Sequence, residues 1–125
     1  MYDLYFHKSP NTYKIAIAFE AMGLDYRTIF VNVGDGEQFS PEFVAMSPNS
    51  KVPVIIDHSP TDAGGPLAVF ESNAILQYLA QKHGKLAVTD ERGLCEMSKW
   101  LYWQAACQGP MFGQAAHFTL FAPDV

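Results

Sequence analysis

Along the first 84 residues of this chain, strand-like runs and helical repeats take turns, and then the strand signal stops. Tyr2 to Phe6 is a short apolar and aromatic run that reads as a strand and ends at Ser9-Pro10-Asn11-Thr12, a turn-and-cap cluster. Ile15, Ala18, Phe19 and Met22 then recur at i, i+3, i+4 and i+7, the spacing of one helix face, and Gly23 supplies a stop. Tyr26 to Asn32 alternates polar and apolar residues as a second strand. Gly34, Gly36 and Pro41 mark a loop, with one helical turn expected over Pro41 to Met46. Val52 to Ile56 reads as a third strand interrupted by Pro53, and Leu67 to Phe70 as a fourth. Glu71 to His83 is helical, with Ala74, Ile75, Tyr78 and Leu79 on one face and Gly84 closing it. The order is βαβ followed by ββα, an α/β arrangement. From Thr89-Asp90, a capping pair, one periodic stretch carries Met97, Trp100, Leu101, Trp103, Gln104 and Cys107 up to Gly109-Pro110. Two domains are therefore expected: residues 1–86 as an α/β domain and residues 87–125 as the first helix of an all-helical one, joined by a linker over 85–89. No stop signal closes the stretch Phe118 to Val125, so the chain is expected to end inside its second domain.

Composition narrows the partners. Lys and Arg number 8 against 13 Asp and Glu, a net charge of −5, so there is no basic excess to neutralise phosphates and no nucleic-acid partner is expected. Hydrophobic residues at 49% supply a core. No apolar run approaches the roughly 18 residues of a membrane span, so no membrane partner is expected. The opening MYDLYFHKSP carries Asp3 and lacks the long apolar core of a leader. His7, His58, His83 and His117 are scattered without ligand spacing, so no metal is expected. Two cysteines make neither a disulfide framework nor a zinc site and fit a reducing cytoplasm. Cys95 and Cys107 read as small buried apolar residues rather than redox centres.

Three short motifs invite a chemical reading. Ser9-Pro10-Asn11-Thr12 suits a helix cap, with Ser9 or Asn11 capping and Pro10 or Thr12 opening the helix. Pro53 inside a strand pattern is an edge or loop proline unless the backbone does something special there. Glu71-Ser72 puts a carboxylate and a hydroxyl at a helix start, as dipole compensation and capping alone would.

Taken together with Ser47-Pro48-Asn49-Ser50-Lys51-Val52-Pro53, Phe70-Glu71-Ser72-Asn73-Ala74-Ile75, Trp100-Leu101-Tyr102-Trp103-Gln104 and Gly109-Pro110-Met111-Phe112-Gly113-Gln114, these motifs resemble the glutathione transferases, in particular the bacterial nu class, whose members also reduce disulfides with glutathione. The resemblance runs over nearly the whole chain. It implies a thioredoxin-like first domain, glutathione as co-substrate, and an electrophile or a disulfide as second substrate. It also implies a complete protein of roughly 200 residues that forms a homodimer.

The chemistry fits. A free thiol has a pKa near ~8.5, so a transferase must stabilise the thiolate with hydrogen-bond donors and positive potential, which a helix N-terminus offers. Where thioredoxins carry Cys-x-x-Cys, this chain has no sulfur, and glutaredoxin-like catalysis by a protein thiol is disfavoured. Ser9 and Asn11 are carried over from the family as the pair that activates the thiolate. A cis bond at Val52–Pro53 would turn the peptide groups of Val52 toward the cysteinyl residue of glutathione. Glu71 is expected to take the γ-glutamyl ammonium and Ser72 its carboxylate. Gln38 and Lys51, resting mostly on the resemblance, are candidates for the glycyl carboxylate and nearby polar groups. The alternative is a non-catalytic glutathione-binding or protein-interaction module, which would share every one of these motifs.

Overall fold

A computed structural model describes residues 1–62 and 64–122. They form two compact units, Met1–Ala87 and Val88–Val125.

The first unit is a four-stranded mixed sheet flanked by helices. Its strands are β1 (Tyr2–Phe6), β2 (Tyr26–Phe30), β3 (Val54–Asp57) and β4 (Leu67–Phe70), in the order β2-β1-β3-β4. β2 runs parallel to β1, while β3 is antiparallel to both β1 and β4. Side chains alternate across a strand, and β1 divides accordingly. Tyr2 and Leu4 join Ile15, Phe19 and Met22 of α1 (Pro10–Met22) and Ile75, Leu79 and Ala80 of α3 (Ser72–His83) in the main core. Tyr5 packs beside the smaller core of Val31, Phe43 and Val54 on the other face, under α2 (Pro41–Met46). The periodic residues of α1 are thus the ones that become inaccessible. Gly23 ends that helix in the left-handed region at φ 62°, its N–H reaching back to Glu20 and Phe19 while Leu24 N–H bonds Phe19 O, the closing geometry that glycine adopts without a Cβ penalty.

Several boundaries differ from the sequence expectation, among them the end of β3, which runs to Asp57. β2 stops at Phe30, because Asn32 caps a short 3-10 turn by accepting from Gly34 N–H at 3.2 Å. β3 starts at Val54, after Pro53: proline has no N–H to give a ladder and stands before the strand rather than within it. α3 starts at Ser72, with Glu71 at the N-cap position.

The second unit is helical: α4 (Glu91–Trp103), a wide turn over Gln104–Gln108, α5 (Gly109–Ala116) and a second wide turn over His117–Phe121. Asp90 caps α4 by accepting from Gly93 N–H at 2.8 Å. The helix does not stop at Gly109-Pro110. Gly109 N–H instead bonds the carbonyl of Gln104, five residues back, and this widened turn accommodates the proline, which has no N–H of its own. A Cβ at Gly109 would sit 3.0 Å from that carbonyl oxygen, so a side chain here would crowd the turn. Among the described residues of this unit none is buried. That overturns the expectation of buried cysteines: Cys95 and Cys107 are both exposed, because no further layer of described residues covers the helix faces that carry them. Their twelve-residue separation is about 18 Å of helix rise, far beyond disulfide reach. No helix among the described residues is long and apolar enough to cross a membrane.

Candidate functional site

Two helix N-termini and one loop meet at the end of the sheet where β1 and β4 finish and β3 begins. They flank a shallow cleft lined by Asn11, Ser47, Asn49, Lys51, Val52, Pro53, Phe70, Glu71 and Ser72.

The two helix starts are built differently. α1 is capped from within: Ser9 sits extended at φ −145° and its hydroxyl accepts from Thr12 N–H at 3.4 Å. The Ser9 and Thr12 hydroxyls also lie 2.7 Å apart and share a hydrogen bond, with Thr12 fully buried. Pro10 occupies the first turn, where its missing N–H costs nothing. Asn11, one residue further, is exposed and lines the cleft. α3 has no such cap. Its N-cap residue is Glu71, at φ 68° and ψ 113° with no side-chain capping bond. A non-glycine residue with positive φ is uncommon, and such conformations cluster at ligand-binding and active sites. The Glu71 carbonyl accepts from Ile75 N–H at 2.9 Å, so the helix is properly wound while its first amides are left without a side-chain acceptor from Glu71. Ser72, almost fully buried, lies at this start.

The loop between α2 and β3 is held by Ser47. This buried hydroxyl donates to Lys51 O at 3.0 Å and accepts from Lys51 N–H at 3.4 Å, while Ser50 N–H bonds Ser47 O at 2.8 Å. The staple presents Asn49, Lys51 and Val52 to the cleft. The Val52–Pro53 peptide bond is cis.

Lys14, on α1, reaches across to α3 and donates to Asn73 Oδ1 at 2.6 Å. Burial pushes the Lys14 pKa down, opposed by the negative charge of Glu71. At the end of β1, the His7 ring Nδ1 lies 2.9 Å from Val31 O and ties β1 to the exit of β2.

Six of the residues expected to form a site therefore share one cleft: Asn11, Lys51, Val52, Pro53, Glu71 and Ser72. Ser9 does not line it and is engaged in the cap of α1. Gln38 does not line it either; it is buried in a 3-10 turn, with its Oε1 lacking a hydrogen-bond partner among the described residues. Asn49, Ser47 and Phe70 line the cleft without having been assigned a role. The run Ser47 to Pro53 contained the signal for the first two, since Ser and Asn at a turn bond nearby backbone groups and so orient the adjoining residues. The link from Lys14 to Asn73 spans 59 positions and has no sequence signal.

Comparison with known proteins bears on this arrangement. A family model, the glutathione S-transferase N-terminal domain, matches residues 2–81. The chain is 50% identical over 124 residues to the disulfide-bond oxidoreductase YfcG of Escherichia coli, covering 99% of this chain and 58% of that protein. It is 39% identical over 127 residues to the transcriptional regulator URE2 of Saccharomyces cerevisiae, covering 96% of this chain and 35% of that one. Among solved structures, a glutathione transferase family member from Pseudomonas fluorescens with two glutathione bound superposes with a TM-score of 0.91 at 43% identity, over 98% of this chain and 53% of that one. The chain thus spans little more than half the length of YfcG and of the Pseudomonas protein. With the four-stranded sheet, the two helix starts and a family match over most of its length, the chain belongs to the glutathione S-transferase family.

Proposed function

We propose that the cleft binds glutathione and holds its sulfur as a thiolate beside the start of α1, for conjugation to an electrophile and for reduction of disulfides. The observation that carries this reading is the convergence of Asn11, Lys51, Val52, Glu71 and Ser72 on a single cleft. Each matches one part of the tripeptide. The uncapped start of α3 with Ser72 suits the γ-glutamyl carboxylate, since the first amides and the helix dipole favour an anion. Glu71, exposed beside them, suits the ammonium. The peptide groups of Val52 suit the cysteinyl backbone, in the manner of an added strand, and Lys51 suits the glycyl carboxylate. Asn11 then offers its side-chain amide to the sulfur. Ser9 can join it: if Thr12 O–H donates to Ser9 Oγ, the Ser9 proton is left to point outward.

In disulfide reduction the bound thiolate attacks one sulfur of the substrate, forming a mixed disulfide and releasing the other half as thiolate. A second glutathione thiolate then attacks the mixed disulfide, giving oxidised glutathione and the second substrate thiolate. No protein thiol is consumed. A reducing, cytoplasmic setting, where free Cys95 and Cys107 persist, suits this chemistry.

A second reading, a glutathione-binding module without turnover, is favoured by the likeness to a protein named as a transcriptional regulator. A turnover assay separates the two. Purified protein with glutathione should conjugate a general electrophile or reduce a small-molecule disulfide above the uncatalysed rate. Saturable glutathione binding without either reaction favours the module.

A further inference from the structure

Three features meet at the first turn of α3. Glu71 at its N-cap makes no side-chain capping bond, and Glu71 and Ser72 line the cleft. Asn73, in that same turn, receives the Lys14 ammonium at 2.6 Å. Lys14 belongs to α1, the helix that also carries Asn11 into the cleft, one turn before it. A cation beside a helix N-terminus opposes the helix dipole and is unfavourable on its own account. The nearby Glu71 charge offsets part of that cost.

We propose that Lys14 is a positioning residue of the cleft: by gripping Asn73 it sets the start of α3 against the start of α1, so that the groups for the γ-glutamyl end and the group for the sulfur are held at one ligand's length. This rests on the glutathione reading above. Lys14 acts through Asn73, touches no reacting atom, and lies outside the residues that line the cleft. Its half-buried side chain restricts the pair to few arrangements, and a charge-assisted bond is stronger than a neutral one. Both make the grip directional.

The test is calorimetric titration of reduced glutathione into the full chain and its variants, with thermal unfolding run alongside. Lys14→Met and Asn73→Ala are each expected to weaken binding about tenfold. The double variant is expected to bind no more weakly than either single one, because each single variant already breaks the shared Lys14–Asn73 bond. Lys14→Arg, which keeps the charge and the donors, should bind within threefold of the parent. Should Lys14→Met fold poorly, Asn73→Ala still removes the grip while leaving the lysine in place. Parent-like affinity in Asn73→Ala, losses that simply add in the double variant, or no recovery in Lys14→Arg would each overturn the proposal. A parent chain that itself fails to bind glutathione would instead overturn the reading beneath it.

Discussion

At one end of the sheet, Asp3 and Asp57 are almost inaccessible and all four of their carboxylate oxygens have partners. At the other end, Asn11, Lys51 and Glu71 are exposed and make no side-chain hydrogen bond among the described residues. Asp3 accepts both arms of Arg27, at 2.9 and 2.8 Å, and faces His58 at 2.9 Å. Asp57 accepts from Ser59 N–H at 2.8 Å, from Tyr78 O–H at 2.6 Å and from the Lys82 ammonium. Burial alone would push the Asp57 carboxyl up, but the bonds from Lys82, Tyr78 and Ser59 outweigh it and hold the pKa below the usual range. Buried charge is tolerated when it is matched in this way. Those groups serve the fold. The cleft end brings together Asn11, Lys51 and Glu71, whose side chains have no hydrogen-bond partner among the described residues, as a site for a charged ligand requires. Substitutions at the two ends should therefore separate stability from function.

The largest effect is expected at the matched end. Asp57→Ala leaves the Lys82 ammonium without its carboxylate, and breaking a buried pair from one side costs about 3–5 kcal/mol. Denaturant unfolding should show that loss, while the fraction that remains folded binds glutathione within twofold of the parent. At the cleft end the expectation reverses. Asn11→Ala should lower glutathione-dependent turnover at least tenfold, since removing one preorganised donor to an anion costs about 2.7–4 kcal/mol. Its thermal midpoint should stay within a degree or two of the parent. Ser9→Ala crosses the divide: a milder loss of turnover together with about 1 kcal/mol of stability from the missing cap.

A smaller effect is a pH dependence confined to the matched end. Burial lowers the pKa of His83 below 6.5, with Lys82 and Lys85 adding to it. The unfolded chain therefore takes up that proton first, and stability falls as pH drops below about 6.5. Asp3, held low chiefly by Arg27, and Asp57 are also depressed in the folded state, so their contribution is complete above 3.8 and lost as pH falls through their folded values. Unfolding midpoints measured from pH 8 to 3 should show both declines, and His83→Gln should remove only the upper one. The smallest effect is expected from replacing Cys95 and Cys107 together by Ser: both are exposed, and neither stands in the turn after β1. Disulfide reduction should survive in the double variant. Its loss in a folded protein would move the chemistry to a protein thiol.

What the sequence discloses differs between the two ends for a physical reason. Ile15, Ala18, Phe19 and Met22 announce the inner face of α1 because burial follows the 3.6-residue period. Pro53 marks the cleft by breaking a local rule, a proline against a strand, whereas Glu71-Ser72 obeys one, a carboxylate at a helix start, and its positive φ and missing cap bond show only in the structure. Local rules also predict the cap at Ser9, though not that it draws the Ser9 hydroxyl into a bond with Thr12. The matched clusters stayed hidden, since Asp3 meets Arg27 across paired strands and Asp57 of β3 meets Lys82 of α3, 24 and 25 positions apart. Gln38, carried over mostly by family pattern, does not line the cleft, and neither does Ser9. Gly109-Pro110, a stop by local rules, is overridden by a turn wound wide enough to include it.

The most direct test of the division between the two ends is an amide chemical-shift titration of the isotope-labelled full chain with reduced glutathione. Saturable shifts are predicted at Asn11, Val52, Ser72 and Asn73, while the amides of Asp3, Asp57 and His58 stay unmoved. An absence of saturable shifts, or shifts centred on the Asp3 and Asp57 end, would contradict the assignment of the cleft as the glutathione site.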